Sequence, residues 1–224
     1  MEEQTLKEKV KEEWEKLRPM SFSKKLEYIW DYYKPFLAAI AAVLILTVVL
    51  VQMIHARQIV TELSVAFING YDSEGAVEKL HDGYVEYAGL GGEKQEVILD
   101  TGYQIKQDSI DEMTMGSQAK VMASITAGSL DILILPQDLF ETYRQQGAFL
   151  DLATILPEEE YAQWEERFVP GGTDTDGQQK AYGIDVTNSG KIAGIFQENP
   201  IILAVTAKAE NTKNAQKFVQ YLLS

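Results

Sequence analysis

The feature that most constrains this chain is an apolar run near its N-terminus. Residues 36–54 read FLAAIAAVLILTVVLVQMI, in which Thr47 and Gln52 are the polar residues and none is charged. As a helix these residues would rise about 28 Å, close to the roughly 30 Å hydrocarbon core of a bilayer. Soluble helices are seldom apolar on every face over such a length, so the run predicts one transmembrane helix at 36–54.

The flanks of this run predict its orientation. Aromatic residues precede it (Tyr28, Trp30, Tyr32 and Tyr33), and such rings favour the membrane interface. Lys24, Lys25 and Lys34 lie on the same side, whereas Arg57 alone follows closely on the other. The positive-inside rule therefore predicts a single-pass protein of the cell membrane, with a cytoplasmic N-terminus and an extracytoplasmic C-terminal domain.

A cleaved signal peptide is the competing interpretation of the apolar run. Signal peptides have a short basic start, an apolar stretch of roughly 7–15 residues and a cleavage site of the A-x-A type. Here a long segment precedes a longer run, and Ile54-His55-Ala56 is a poor site. These features favour an uncleaved signal anchor.

The segment before the membrane, residues 1–35, is predicted to be amphipathic and cytoplasmic. Residues 2–17 alternate charges at helical spacing, with Leu6, Val10, Trp14 and Leu17 as a thin apolar stripe. Arg18-Pro19 then ends this helix. A juxtamembrane surface helix and a partner-docking helix anchored by Trp14 both fit the pattern.

Charge is unevenly distributed along the chain. Residues 1–35 hold eight basic and eight acidic residues and 36–54 hold none, so the whole net charge of −14 belongs to the later part. A domain this acidic repels phosphates, and we therefore expect no nucleic-acid partner. The chain has no cysteine, which excludes disulfides, thiol nucleophiles and a lipid attached to an N-terminal cysteine.

The pattern from residue 57 to 224 predicts one extracytoplasmic α/β domain with a mostly parallel sheet, because strand-like and helix-like stretches alternate. Strands are expected at 62–69, 96–105, 131–135, 181–187 and 201–206. Helices are expected at 73–88, with Ser73 as N-cap, and at 109–127, 137–146, 157–168 and 211–223. The segment 131–135 (DILIL) is typical of a strand buried on both faces.

Several stretches of this domain, in order, resemble the extracellular solute-binding proteins of bacterial ABC importers, which have the periplasmic-binding-protein fold. They are QAKVMASITAGSLDILIL at 118–135, FETYRQQGAFLDLATIL at 140–156, DGQQKAYGID at 176–185, and the final strand and helix at 202–223. The resemblance implies one lobe of such a protein, since the segment expected to lead into a second lobe is followed almost directly by the terminal elements. A single lobe implies an open, shallow site.

Motifs for chemistry are weak in this sequence. His81 lies in a predicted helix and is interpreted as solvent-facing. Asp174–Gly177 resembles a calcium loop, but the sixth position of that motif is Gln179 instead of glycine, which favours a polar turn. Gly89–Gly92 is interpreted as a connection, and Glu158–Glu160 as favourable charge in a first helical turn. No catalytic residue, metal site or cofactor is predicted.

A ligand site, if the domain has one, is predicted where strands end, because α/β sheets bind ligands at the carboxyl ends of their parallel strands. Ordinary turn or core packing is the competing interpretation for each candidate. The candidates are Asn69, Gly70, Tyr71, Pro136, Gln137, Asp138 and Tyr182.

The sequence thus favours a non-catalytic, membrane-anchored binding or interaction module related to solute-binding proteins. Its expected partners are the lipid bilayer, a membrane or envelope protein, and a small solute. Two alternatives stay open: a working solute receptor for an ABC importer, and an unrecognised hydrolase. A receptor should show a deep pocket, an interaction module an exposed apolar patch, and an enzyme convergent titratable groups in a cleft.

Overall fold

The computed structural model describes residues 14–15, 18–19, 21–56, 59–107, 109–173, 179–197 and 200–224, and it divides into two units, Met1–Gln58 and Ile59–Ser224. Most of the predicted amphipathic helix at 2–17 and the calcium-like loop at 174–177 lie outside the described residues.

The described part of the first unit is dominated by a single long helix, α1 (Phe22–Ala56). It runs through Pro35 and includes both the amphipathic stretch 23–33 and the apolar run. Residues Lys34–Ile54 are long and apolar enough to cross a membrane, and none of their most apolar window is buried. The Thr47 hydroxyl donates to the Val43 carbonyl at 2.8 Å, so this polar group has a partner within the helix.

The second unit is a mixed α/β domain. Its strands are β1 (Val60–Ile68), β2 (Gln95–Tyr103), β3 (Ile132–Pro136), β4 (Phe168–Thr173), β5 (Gln179–Asp185) and β6 (Ile201–Val205). Its helices are α2 (Ala76–Ala88), α3 (Glu112–Ala127), α4 (Gln137–Gln145), α5 (Glu158–Trp164) and α6 (Thr212–Leu223). Single 3-10 turns lie at Leu152–Thr154, Glu165–Arg167 and Gly190–Ile192.

The strand order is β2-β1-β3-β6-β5-β4, and the prediction of a mostly parallel sheet is wrong, because three of the five strand pairs are antiparallel. Strand β1 pairs in parallel with β2 and β3, but the pairs β3–β6, β6–β5 and β5–β4 are antiparallel. Parallel neighbours need a crossover of a dozen or more residues, usually a helix. The connection from β4 to β5 is too short for one, and the connection from β5 to β6 carries a 3-10 turn in place of a helix.

Strand β4 was not predicted, because its sequence FVPGGT contains a proline and two glycines. Proline within a sheet is tolerated mainly on edge strands, where an N–H can be spared. β4 is such an edge strand, because β5 is its one partner among the described strands. The helix predicted at 157–168 is correspondingly shorter, and ends as a 3-10 turn before Phe168.

Alternate strand residues face two separate apolar clusters, so the sheet is the middle of three layers. Leu63, Val65 and Phe67 of β1 pack with α2 and α6, whereas Ala66 and Ile68 pack with α3 and α4. Every residue of β3 is buried, which confirms the prediction of a strand buried on both faces.

Helix boundaries follow their caps. The predicted end of α3 at Gly128 is confirmed by its φ of 71°, and its N–H donates to the Ile125 carbonyl. The N-cap of α3 is Asp111, whose carboxylate accepts from the Thr114 N–H. The prediction of Ser73 as the N-cap of α2 is wrong, because Gly75 holds that position in a left-handed conformation.

Candidate functional site

Asn69, the first predicted site residue, lies directly after β1 and is engaged in structural hydrogen bonds. Its backbone is left-handed, with a φ of 61°, which asparagine tolerates better than most residues. Its side chain accepts from the Ile105 N–H at 2.8 Å and donates to the Ile105 carbonyl at 2.9 Å. Asn69 therefore joins the ends of β1 and β2.

Gly70 and Tyr71 continue along the same edge of the sheet. Gly70 is buried, and a Cβ there would lie 2.8 Å from the Phe67 Cβ and 3.3 Å from the Ile195 Cγ2. The Gly70 carbonyl accepts from the Gln104 side chain, and the Tyr71 N–H donates to the Ile195 carbonyl at 2.9 Å. The Tyr71 side chain is exposed.

Pro136, Gln137 and Asp138 lie at the neighbouring strand end. Pro136 is the last residue of β3 and pairs with Ile201 of β6, and the Gln137 N–H donates to the Pro200 carbonyl. Asp138 is exposed in the first turn of α4. Since Phe67 is in register with Ile134, Asn69 and Pro136 each lie two residues beyond paired positions, which brings these two predicted segments to one edge.

Tyr182 stands apart from the other six predicted residues. It lies inside β5 and packs, partly buried, against the cluster that contains Phe140 and Phe149. Its position is that of a core-facing side chain. The structure thus brings six of the predicted residues to one edge of the sheet and leaves Tyr182 within a strand.

A cleft of about 510 Å³ lies beside this edge, on the α2 side of the sheet. The hydrogen bond from Tyr71 to Ile195 joins the two chain segments that flank it. Its lining comes from the start of α2, the turn after β5 and one residue of α6. The lining residues are Ser73, Glu74, Ala76, Lys79, Leu80, Gly190, Lys191, Ala193, Gly194 and Tyr221.

The cleft carries two ammonium groups. Lys79 Nζ donates to the Glu74 carbonyl at 3.3 Å, and Lys191 Nζ lies 4.0 Å from the centre of the Tyr221 ring. The Tyr221 ring is 8% exposed, and burial raises the pKa of its hydroxyl, with the nearby charge of Glu86 adding to this effect.

The backbone at the rim of the cleft turns sharply. Glu74 has a φ of 54° and Gly75 a φ of 70°, so two successive residues are left-handed. The Asp72 carboxylate then accepts from the Val77 N–H at 3.0 Å in the first turn of α2. This turn places Ser73 and Glu74 on one side of the cleft and Lys79 one helical turn further on.

None of the cleft residues was predicted as a site residue. Lys79, Lys191 and Tyr221 belong to three segments that are far apart in the sequence, and each alone has an ordinary local pattern. A signal for the general location did exist, because Ser73 follows the predicted strand-end segment 69–71 by two residues.

Other chemical candidates lie away from the cleft. The His81 ring is 2.9 Å from the Asp82 carboxylate and partly exposed on α2. Among the described residues, no cluster of three or more His, Asp or Glu side chains is arranged to hold a metal ion. Glu158–Glu160 occupy the first turn of α5, as predicted.

An exposed apolar group precedes and begins α3. Ile110 is 90% exposed, Met113 66% and Met115 58%. This group lies near the carboxyl end of β2, since the Lys106 N–H donates to the Thr114 hydroxyl. Both a cleft and an exposed apolar surface are therefore present in the domain.

Neither a protein-family model nor a curated protein matches the sequence. A comparison of structures finds similarity to "Extracellular solute-binding protein family 1 from Alicyclobacillus acidocaldarius subsp. acidocaldarius DSM 446", with 17% sequence identity and a TM-score of 0.31. The match covers 57% of this chain and 28% of that chain. A similarity this low does not assign the chain to that family.

Proposed function

We propose that the chain is a membrane-anchored, non-catalytic binding module, with residues 1–35 in the cytoplasm, helix 36–54 in the bilayer and residues 57–224 outside. The observation that carries this proposal is the complete exposure of the apolar window within Lys34–Ile54. A continuous apolar surface of this size needs a cover, and lipid is the cover that suits a helix apolar on every face. A soluble core helix would instead be buried.

The binding role is supported by the cleft in the second unit. Ligand pockets of proteins have volumes of roughly 300–1,000 Å³, and the cleft of about 510 Å³ falls in this range. It lies beside the edge at which β1 and β3 end, which is where α/β sheets favour ligands. We propose that a small solute occupies it.

The absence of cysteine makes the anchoring directly testable. Two variants of the full chain, Ser23→Cys and Lys94→Cys, each carry one cysteine at an exposed position. They are expressed in bacteria that have a single membrane and no outer membrane. A membrane-impermeant maleimide should label Lys94→Cys on intact cells, but Ser23→Cys only after lysis. The unsubstituted chain is the control and should take no label.

The same cells separate the anchor from a cleaved signal peptide. The intact mass of the membrane-bound protein should include residues 1–35. A released protein that begins after about residue 56 would contradict the proposed anchor, and labelling of Ser23→Cys on intact cells would contradict the orientation.

Solute binding is tested by thermal unfolding of the full-length chain in detergent, with sugars, amino acids, short peptides and organic acids. A ligand at 100 times its dissociation constant adds about 2.7 kcal/mol of stability, which is readily seen. The bound solute should be recovered chemically unchanged, as expected of a non-catalytic module. If no class shifts the unfolding, solute binding is wrong, and the exposed group around Ile110 becomes the next place to look for a partner.

A further inference from the structure

We propose that the cleft beside α2 binds a small organic anion, with Lys79 and Lys191 holding its carboxylate or phosphate group. This inference rests on the proposed solute-binding function and names the class of solute. Both ammonium groups belong to the lining of one cleft, although they are 112 positions apart in the sequence.

Both ammonium groups are positioned without being neutralised. An ammonium has three N–H donors, and the Glu74 carbonyl takes one from Lys79 at 3.3 Å. Lys191 is held over the Tyr221 ring by a cation–π contact, which leaves its donors for other acceptors. No described carboxylate forms a salt bridge with either lysine.

The charge of the lining differs in sign from that of the domain around it. The lining holds two lysines and one glutamate, whereas the net charge of −14 belongs entirely to residues after 54. The acidic surroundings repel anions at long range, so an anion is bound only where local cations outweigh them. The effect of each lysine should therefore be local and large.

The rest of the lining suits a small carbon skeleton. Leu80 and the Tyr221 ring, both nearly buried, contribute apolar surface, and Ala76 adds a methyl group. Gly194 is left-handed, with a φ of 84° that favours glycine, and a Cβ there would be in van der Waals contact with two other lining residues, 3.6 Å from the Ala76 Cβ and 3.7 Å from the Ser73 Cβ. An anion of the size of a sugar phosphate or a tricarboxylate fits this combination.

The test is calorimetric titration of the full-length protein in detergent with citrate, glucose 6-phosphate, inorganic phosphate and glucose. We expect saturable one-site binding of citrate or glucose 6-phosphate and none of glucose. If inorganic phosphate also binds, the charged group by itself is sufficient for recognition by the two lysines. Lys79→Gln and Lys191→Gln should each weaken the binding at least tenfold.

Two further variants make the result specific. Lys213→Gln removes the same charge from an exposed position of α6 outside the cleft, and should leave the affinity unchanged. Gly190→Leu adds a bulky uncharged side chain to a lining position, where a Cβ would meet no described atom within 4 Å, and should weaken binding without a change of charge. The melting temperature of each variant without ligand confirms that it is folded.

Each contrary outcome overturns the inference in a recognisable way. If Lys213→Gln weakens binding as much as the cleft variants, the effect is one of overall charge and not of a site. If a neutral solute binds and no anion does, the class of ligand is wrong while the binding function stands. If no solute of any class binds, both proposals fail.

Discussion

Asp131 and Asn211 are 80 positions apart in the chain and joined by two hydrogen bonds, from the Asn211 backbone N–H at 3.0 Å and from its Nδ2 at 3.1 Å. The same carboxylate accepts from the Ser64 N–H at 2.9 Å and is 1% exposed. One buried side chain thus ties together β1, the start of β3 and the start of α6.

Replacing this carboxylate should destabilise the domain strongly. In Asp131→Ala three N–H groups lose a charged acceptor within the protein, and we expect a loss of about 3 kcal/mol in the free energy of unfolding. Urea denaturation of the purified chain measures it. Asp138→Ala, at an exposed position, is the matched control and should change little; equal stability of the two variants would contradict this role of Asp131.

Two buried tyrosines should respond differently to loss of their hydroxyl. The Tyr143 hydroxyl is buried and has no hydrogen-bond partner among the described residues, whereas that of Tyr84 donates to the Asn214 carbonyl at 2.8 Å. Tyr143→Phe should leave stability unchanged or raise it, and Tyr84→Phe should lower it by about 1 kcal/mol. Thermal unfolding of the two variants side by side checks the order, which the reverse ranking would contradict.

Tyr143 also predicts a loss of stability at alkaline pH. Burial raises the pKa of its hydroxyl to about 12, above the ordinary value of 10 in the unfolded chain. The contribution of this group is fully present below pH 10 and is lost as the pH rises through about 12. Between pH 9 and 12 the free energy of unfolding, measured by chemical denaturation, should fall less steeply for Tyr143→Phe than for the unsubstituted chain. The same slope for both proteins would contradict a raised pKa of Tyr143.

We predict that Asn69 stabilises the fold through its hydrogen bonds to Ile105. Asn69→Ala removes both hydrogen bonds to Ile105 and forces a left-handed alanine, so a loss of about 2 kcal/mol is expected. Asn69→Gly loses the same bonds but tolerates the backbone, and should be the more stable of the two. Chemical denaturation compares them; if both match the unsubstituted chain, the bonds to Ile105 contribute nothing.

Gly183 should not tolerate a side chain. A Cβ at this position of β5 would lie 2.5 Å from the Ile202 Cγ2 and 2.7 Å from the Phe140 Cε2, both in the buried core. Gly183→Ala should therefore cost about 1–3 kcal/mol through overpacking. Gly91→Ala, where a Cβ would meet no described atom within 4 Å, is the control. A Gly183→Ala variant as stable as Gly91→Ala would contradict the packing.

The Asp100–Lys120 ion pair should make the stability of the domain depend on pH in the acid range. Burial alone would raise the pKa of the Asp100 carboxyl, but hydrogen bonds from the Gly102 N–H and from Lys120, at 3.1 Å, hold it below the usual range. Its contribution to stability is present above the ordinary carboxyl pKa and is lost as the pH falls through the lowered value. In Lys120→Met the carboxyl pKa should rise, as an NMR titration of Asp100 would show, and in Lys208→Met it should not.

The sequence alone determined the elements whose pattern is local. The apolar run predicts a long helix and the segment DILIL a strand buried on both faces, and the structure contains both. The helix predicted at 211–223 is also present, as α6. These predictions succeed because periodicity and burial are written in neighbouring residues. Whether α1 spans a membrane stays a prediction that its composition supports.

The tertiary structure decided the three antiparallel strand pairs, the edge strand β4 and the cleft. Strand direction depends on which strands become neighbours, and the register of β6 against both β3 and β5 appears in no local pattern. Lys79, Lys191 and Tyr221 meet only because α2, the turn after β5 and α6 pack on the same face of the sheet. Asn69 was a plausible ligand contact in the sequence, but its side chain is engaged by Ile105, 36 positions away. Local residues determine what each segment becomes, whereas long-range packing determines which side chains face one another and which polar groups are left for a ligand.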